Sequence, residues 1–231
     1  MVGGNDILLA KKTLRNTLKP QSLRRMGVSE LGNYLSYNPF RSWYARRRLY
    51  VILEMTKLCS SKCNALDFGC GAGYFLPPLA LIFSTVYGLE LKSEWNEKLK
   101  SRVEKYFYEE GHTNISYNLV EEGNEFSKFE NRSIDFISAA DILEHFTDVQ
   151  ISNFIGETSR ILKENAILVV SLPTENWIYN MFSSSDSGHI ANSSKKINDI
   201  ISQLSKTFHP IECQYLFPFF KVVCYRKIMH K

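Results

Sequence analysis

The chain has 231 residues, 44% hydrophobic, 13% aromatic and 23% charged, with 12 Gly and 7 Pro, which excludes collagen-like and disordered chains and suits one packed domain with an extension. Its five cysteines, Cys59, Cys63, Cys70, Cys213 and Cys224, are odd in number and scattered, which argues against a disulfide framework, and no second pair with zinc-ligand spacing follows Cys59 and Cys63. The net charge of +4 hides an asymmetry: residues 1–50 hold ten of the 28 Lys and Arg but only Asp6 and Glu30 of the 24 acids, so the remainder is net acidic.

In residues 6–19, Ile7, Ala10, Leu14 and Leu18 recur at helical steps among Lys11, Lys12, Arg15 and Lys19, so a basic amphipathic helix ending at Pro20 is expected. Such a helix could rest on an anionic membrane surface, meet nucleic acid, or pack its apolar stripe on the body with its charges solvated. Asp6 precedes a very short apolar stretch with basic residues after it, the reverse of a secretory leader, and the longest weakly charged run, 75–89, is broken by Pro77 and Pro78. A cytoplasmic protein, at most peripheral to a membrane, is expected. Ser42 is expected to cap a second helix reaching Leu58, with Arg46, Arg47 and Arg48 turned away from Leu49, Ile52, Leu53 and Met55. Residues 1–60 thus form a basic helical extension, a lid or a docking element, ahead of a body at 61–231. Tyr34, Tyr37, Trp43 and Tyr44 could form its cover.

From residue 64 onward, β-rich runs alternate with helical patterns, the mark of an α/β fold with a mostly parallel sheet. Strands are expected at 65–68, 85–91, 115–120, 134–139, 166–172, 211–217 and 219–225. Helices are expected at 74–83, 93–109, 148–163 and 194–208, the last with Ile197, Ile200, Ile201 and Leu204 on one stripe. No helix fits between Ile211 and Arg226, so the final two strands must form a hairpin turning at 217–219.

The segment ALDFGCGAGYF, residues 65–75, runs a strand through Gly69, Gly71 and Gly73 towards a helix. Glycines there let backbone amides approach a ligand, and a helix N-terminus behind them favours an anionic group. Glu90, at the end of the next strand, stands where a carboxylate can accept both hydroxyl protons of a ribose. The dinucleotide fingerprint would need glycine at Tyr74 or Leu76, so NAD binding, and with it an oxidoreductase, is disfavoured.

These residues resemble the class I S-adenosylmethionine-dependent methyltransferases. ALDFGCGAG is similar to their first motif and VYGLEL, with Glu90, to their second. SIDFISAADILEHF, 133–146, and RILKENAILVVSLP, 160–173, resemble the fourth-strand and fifth-strand segments of the group that includes ubiquinone-biosynthesis O-methyltransferases. The resemblance spans about residues 60–226 and implies a Rossmann-like sheet of seven strands, the last antiparallel, with helices on both faces. It implies that Asp67 and the loop Gly69, Cys70, Gly71, Gly73 hold the methionine part of S-adenosylmethionine and that Glu90 holds the ribose; Asp141, after the fourth strand, is taken to border the cofactor. Among Glu121, Glu122 and Asn124, Glu122 is taken as the residue facing the adenine. Pro77 and Pro78, close behind the loop, and a 163–165 segment without glycine depart from the family pattern.

Methyl transfer from a sulfonium needs positioning and exclusion of water more than covalent help. Where the acceptor must lose a proton, His145 is the candidate base, since it follows the fourth strand and imidazole titrates near neutrality. On a helix, Asp141, Glu144 and His145 would share one side. They could then buttress the loop or hold a divalent cation; no metal is assigned. His189 follows a Ser-rich stretch, 183–187, that reads as a lid, and Trp177, Tyr179 and Phe182 could wall an acceptor pocket. The expected activity is transfer of a methyl group to oxygen or nitrogen of a small or lipid-linked acceptor, releasing S-adenosylhomocysteine. The alternative is a non-catalytic cofactor-binding module docking on a membrane or on nucleic acid through its basic N-terminus. RNA as the methyl acceptor is disfavoured by the acidic body.

Overall fold

Short apolar runs pair into one seven-stranded sheet: β1 (Asn64–Phe68), β2 (Thr85–Leu91), β3 (Ile115–Val120), β4 (Ile134–Ala140), β5 (Leu162–Pro173), β6 (Phe208–Leu216) and β7 (Phe220–Lys227). The computed structural model describes residues 4–27, 39–91, 97–174, 194–216 and 220–227. The strand order is β3-β2-β1-β4-β5-β7-β6. β1 to β5 run parallel, and β7 is antiparallel to both of its neighbours. The expected final hairpin is therefore present, and its turn, 217–219, lies outside the described residues. Strand order reverses between β1 and β4, so the crevice beyond their carboxyl ends is where an open α/β sheet takes a ligand.

Helices α1 (Gly4–Thr17), α2 (Pro20–Arg25), α3 (Pro39–Met55), α4 (Leu76–Ala80) and α5 (Glu97–Glu109) cover one face; α6 (Asp148–Ile161) and α7 (Ser194–Thr207) cover the other. Side-chain alternation divides the strands between two cores. Ala65 and Phe136 pack towards α1–α5, whereas Leu66, Phe68 and Ile137 pack towards α6 and α7. α6 opens on a capping box in which Thr147 and Gln150 satisfy each other's backbone amides.

Four local expectations are corrected. Pro20 does not close the helical region but starts α2, because a first-turn amide has no helical partner to lose. Ser42 is not a cap; α3 begins at Pro39, which places Ser42 within its first turn. The helix expected at 74–83 shrinks to the five residues of α4, with Pro77 and Pro78 confined to its first turn and Leu81 at its C-cap. β5 begins at Leu162 and passes through Asn165 at φ 62. Asparagine tolerates that left-handed conformation, and so replaces the glycines missing from 163–165 while β5 advances from Leu162 to Ile167 against Ile134 to Phe136 of β4.

The basic N-terminal helices share a core with the body. Ile7, Ala10, Leu14 and Leu18 are buried together with Leu49, Ile52, Leu76 and Leu79. Thr17 Oγ1 donates to the Tyr74 carbonyl at 3.0 Å, Lys11 pairs with Glu54, and Arg25 spans Glu109 and Glu110 at the end of α5. Among the described residues no helix is long and apolar enough to cross a membrane. All five cysteines are free, and burial pushes the Cys59 and Cys224 thiols up to about 12. Leu14→Ala opens a cavity where α1 meets this core. Urea unfolding should register a loss of about 3 kcal/mol; a loss below about 1 kcal/mol would mean that α1 is not docked on the body.

Candidate active site

β1 ends in a loop held by side chains of its neighbouring strands. Gly69, Gly71 and Gly73 adopt φ of 71, 54 and 71, for different reasons. A Cβ on Gly73 would lie 2.9 Å from the Phe107 ring, whereas one on Gly71 would meet nothing within 4 Å, so Gly71 borders open space. The Gly71 peptide is clamped from both sides: its N–H donates to Glu90 Oε2 at 2.5 Å, and its carbonyl accepts from Tyr117 Oη at 2.6 Å. Burial raises the Tyr117 phenol, so it stays a donor. Gly88 on β2 lets Leu76 and the Cys70 sulfur come close; an added Cβ would fall 2.6 and 2.9 Å from them. The Cys70 thiol, buried and raised well above its ordinary value, thus packs beneath the loop.

Four amides of this loop are already engaged within the protein. Gly69 and Cys70 N–H both donate to the Leu89 carbonyl, at 2.9 and 3.0 Å, and Gly73 N–H to Cys70 at 2.9 Å; Gly71 N–H is taken by Glu90. α4 behind them has only five residues, too few for a useful dipole. Those four amides are not available to the anionic group expected from the sequence, and the loop offers curvature and space.

Three carboxylates near the ends of these strands are buried instead. Asp67, Glu90 and Glu144 are 5%, 6% and 6% exposed. Asp67 sits opposite Ser138 in the β1–β4 register and accepts its hydroxyl at 2.7 Å. Desolvation pushes Asp67 up to about 7 against that hydrogen bond, and Glu144 likewise to about 7. Asp141, at φ 54 just past β4, is fixed by its N–H to the Ser171 carbonyl at 3.1 Å and by the Ser171 hydroxyl at 3.1 Å. Arg48 of α3 forms an ion pair with Asp141. It is the one buried cation among the described residues, and its charge also draws Asp67 and Glu144 downward. Arg48 does not turn away from the apolar stripe, as expected, but lies four and seven residues from Ile52 and Met55 on the buried side. That spacing was the available signal for it. Tyr117, Ser138, Ser171 and Gly88 also escaped the sequence reading.

A cavity of about 720 Å³ opens beside the loop. Of the candidate residues it is lined by Gly69, Glu90 and Glu122, with Phe68, Val120, Ile142 and Phe146 as apolar wall; Asp67, Cys70, Gly71, Gly73, Asp141 and His145 do not line it. Glu122 accepts from the Gln150 side chain, which ties the segment after β3 to the N-terminus of α6. Asp141, Glu144 and His145 do not share a helix face. Asp141 is left-handed, and a single 3-10 turn, Leu143–His145, buries Glu144 and exposes His145. No group of three His, Cys, Asp or Glu side chains among the described residues could hold a metal ion. His189, Trp177, Tyr179, Phe182 and the 183–187 stretch, like Tyr34 and Tyr37, lie outside the described residues.

A family model described as a methyltransferase domain matches residues 40–214. The chain belongs to the methyltransferase domain family. A ubiquinone biosynthesis O-methyltransferase of Bradyrhizobium sp. (strain ORS 278) is 30% identical over 145 residues, covering 61% of this chain and 53% of the relative. One from Pelagibacter ubique (strain HTCC1062) is 27% identical over 141 residues, 59% and 53% of the two chains. The chain thus spans about half the length of the curated relatives it matches. The fold matches the N-methyltransferase NodS from Bradyrhizobium japonicum WM9, solved with S-adenosyl-L-homocysteine, at TM-score 0.60 and 17% identity over 95% of this chain and 99% of that one. PH0226 protein from Pyrococcus horikoshii OT3 matches at 0.64 and 14% identity over 91% and 100%.

Within this methyltransferase domain, the family match begins inside α3, eight residues before Arg48. Arg48→Met removes the cation that pairs with Asp141 and lowers Asp67 and Glu144. A destabilisation of about 3 kcal/mol is expected at pH 8. It should shrink towards pH 6, because Asp67 and Glu144, both near 7, take up protons there. Denaturant titrations at the two pH values check this, and an equal loss at both would remove the carboxylates from the explanation.

Proposed function

We propose that this chain transfers a methyl group from S-adenosylmethionine to oxygen or nitrogen of a small or lipid-linked acceptor, in the cytoplasm or at a membrane facing it. The observation that carries this reading is the loop and its partner: the Gly69, Cys70, Gly71 and Gly73 amides are engaged within the protein, and the Glu90 carboxylate grips Gly71 beside open space. A pyrophosphate would find few donors there and would meet the Glu90 carboxylate, whereas a ligand carrying an ammonium and a sulfonium is attracted.

Bound in the crevice, S-adenosylmethionine supplies a carbon electrophile: the acceptor's lone pair bonds to the methyl carbon, the carbon–sulfur pair stays on sulfur, and S-adenosylhomocysteine leaves. The residues of this chain bind and orient. Asp67 faces the ammonium of the methionine part and Arg48 its carboxylate, with Asp141 keeping the guanidinium in place. The Gly71 clamp shapes the loop around that group, and Glu90 accepts from the ribose hydroxyls. The aromatic cluster of Phe68, Phe126, Phe146 and Phe154 offers an apolar wall to the adenine, with Glu122 beside it. His145, exposed on the turn after β4, takes the proton that the acceptor releases. The ubiquinone O-methyltransferase relatives favour an oxygen acceptor on an apolar, ring-bearing molecule.

Calorimetric titration of S-adenosylmethionine and S-adenosylhomocysteine should show binding by the wild type and none by Gly71→Arg, which fills the open space. Asp67 must be ionised to meet the ammonium and sits near 7, so affinity should rise with pH, by about tenfold between pH 6 and pH 8, and the increase should vanish in Asp67→Asn. Absence of binding to the folded wild type, or a glycine-loop variant that binds normally, would end this reading.

A further inference from the structure

Ile7, Ala10, Leu14 and Leu18 occupy the inward stripe of α1, which leaves Leu8 and Leu9 on its outer side, 69% and 50% exposed. Beside them lies a shallow groove of about 660 Å³, lined by Lys12 and Arg15 of α1 and by Arg47 and Tyr50 of α3. Trp43, one turn before Arg47 on α3, is 57% exposed. Lys12 and Arg15 have no carboxylate partner among the described residues, and neither does Arg47; Lys11, next to them, is satisfied by Glu54.

Two adjacent leucines and an indole held in water within a ring of unneutralised cations are costly to a helix that only needs to dissolve. The same set fits a bilayer surface: leucines enter the acyl boundary, tryptophan sits at headgroup depth, and the cations meet phosphates. A nucleic acid would use the cations but gain nothing from Leu8 and Leu9. A second copy would cover the leucines while bringing Lys12, Arg15 and Arg47 against the same charges of its partner.

We propose that the α1–α3 face docks this protein on anionic phospholipid. α3 then serves two surfaces, with Arg47 towards lipid and Arg48, the next residue, towards the carboxylate rim. Docking itself does not rest on the methyl-transfer reading.

Cosedimentation of the full chain with vesicles tests the proposal. Wild type should pellet with vesicles half phosphatidylglycerol and half phosphatidylcholine, and not with phosphatidylcholine alone. Leu8→Ser with Leu9→Ser should lower the partition coefficient by about tenfold, and Arg15→Glu with Arg47→Glu should abolish pelleting. Calorimetric titration of S-adenosylmethionine on each variant reports the folded site separately: unchanged cofactor binding with lost pelleting supports docking. Cofactor binding absent everywhere, with pelleting intact, sinks the methyl-transfer reading alone. Equal pelleting with neutral vesicles overturns the proposal, as does unaltered pelleting of the leucine variant. So does binding of a single-stranded RNA oligonucleotide in place of vesicles, or a dimer that the leucine variant dissolves while no vesicle is bound.

Discussion

Carboxylates taken out of water along one edge of a sheet repel one another, and each pays for lost hydration unless a cation or a proton compensates. Here Arg48 of α3 pairs with Asp141 just past β4, and its field lowers Asp67 and Glu144, alongside the Ser138 hydroxyl on Asp67 and Lys196 near Glu144. Two of those acids nevertheless remain near 7. The glycine loop nearby offers open space at Gly71, with four of its amides already engaged. An electrostatic deficit next to an open cradle is the property from which the choice of a cationic cofactor over a pyrophosphate follows.

This interaction also decides what the N-terminal helices are. A basic segment ahead of an acidic body could be a tail; here it is part of the site, because α3 delivers the compensating charge while α1 packs on α4 and bonds Tyr74 behind the glycine loop. Inward and outward residues of the same two helices then have separate duties. The buried stripe belongs to the core, Arg48 pairs with Asp141 past β4, and Leu8, Leu9, Trp43 and Arg47 belong to the outer surface.

The strands and the glycine loop were legible because their signals are local. Runs such as 85–91 and 115–120 coincide with β2 and β3, since short β-rich stretches bounded by turn and helix signals mark strands of an α/β sheet. Glu90 was legible from its distance to the loop. The boundaries at Pro20, Ser42, 74–83 and 162–166 were missed for one kind of reason: proline and asparagine are tolerated at helix starts and left-handed positions that no periodicity marks.

By itself, the order of residues determined the α/β alternation, the antiparallel ending, the glycine loop with its acidic partner, and family membership, because each depends on spacing along one stretch of chain. Only the tertiary structure decided that Arg48 faces inward, that Tyr117 and Glu90 grip the same peptide, that Glu144 and His145 part company, and that four of the loop amides are already engaged. Those outcomes join groups separated by tens of residues, and their energies depend on burial and on distances across strands, which no local pattern encodes.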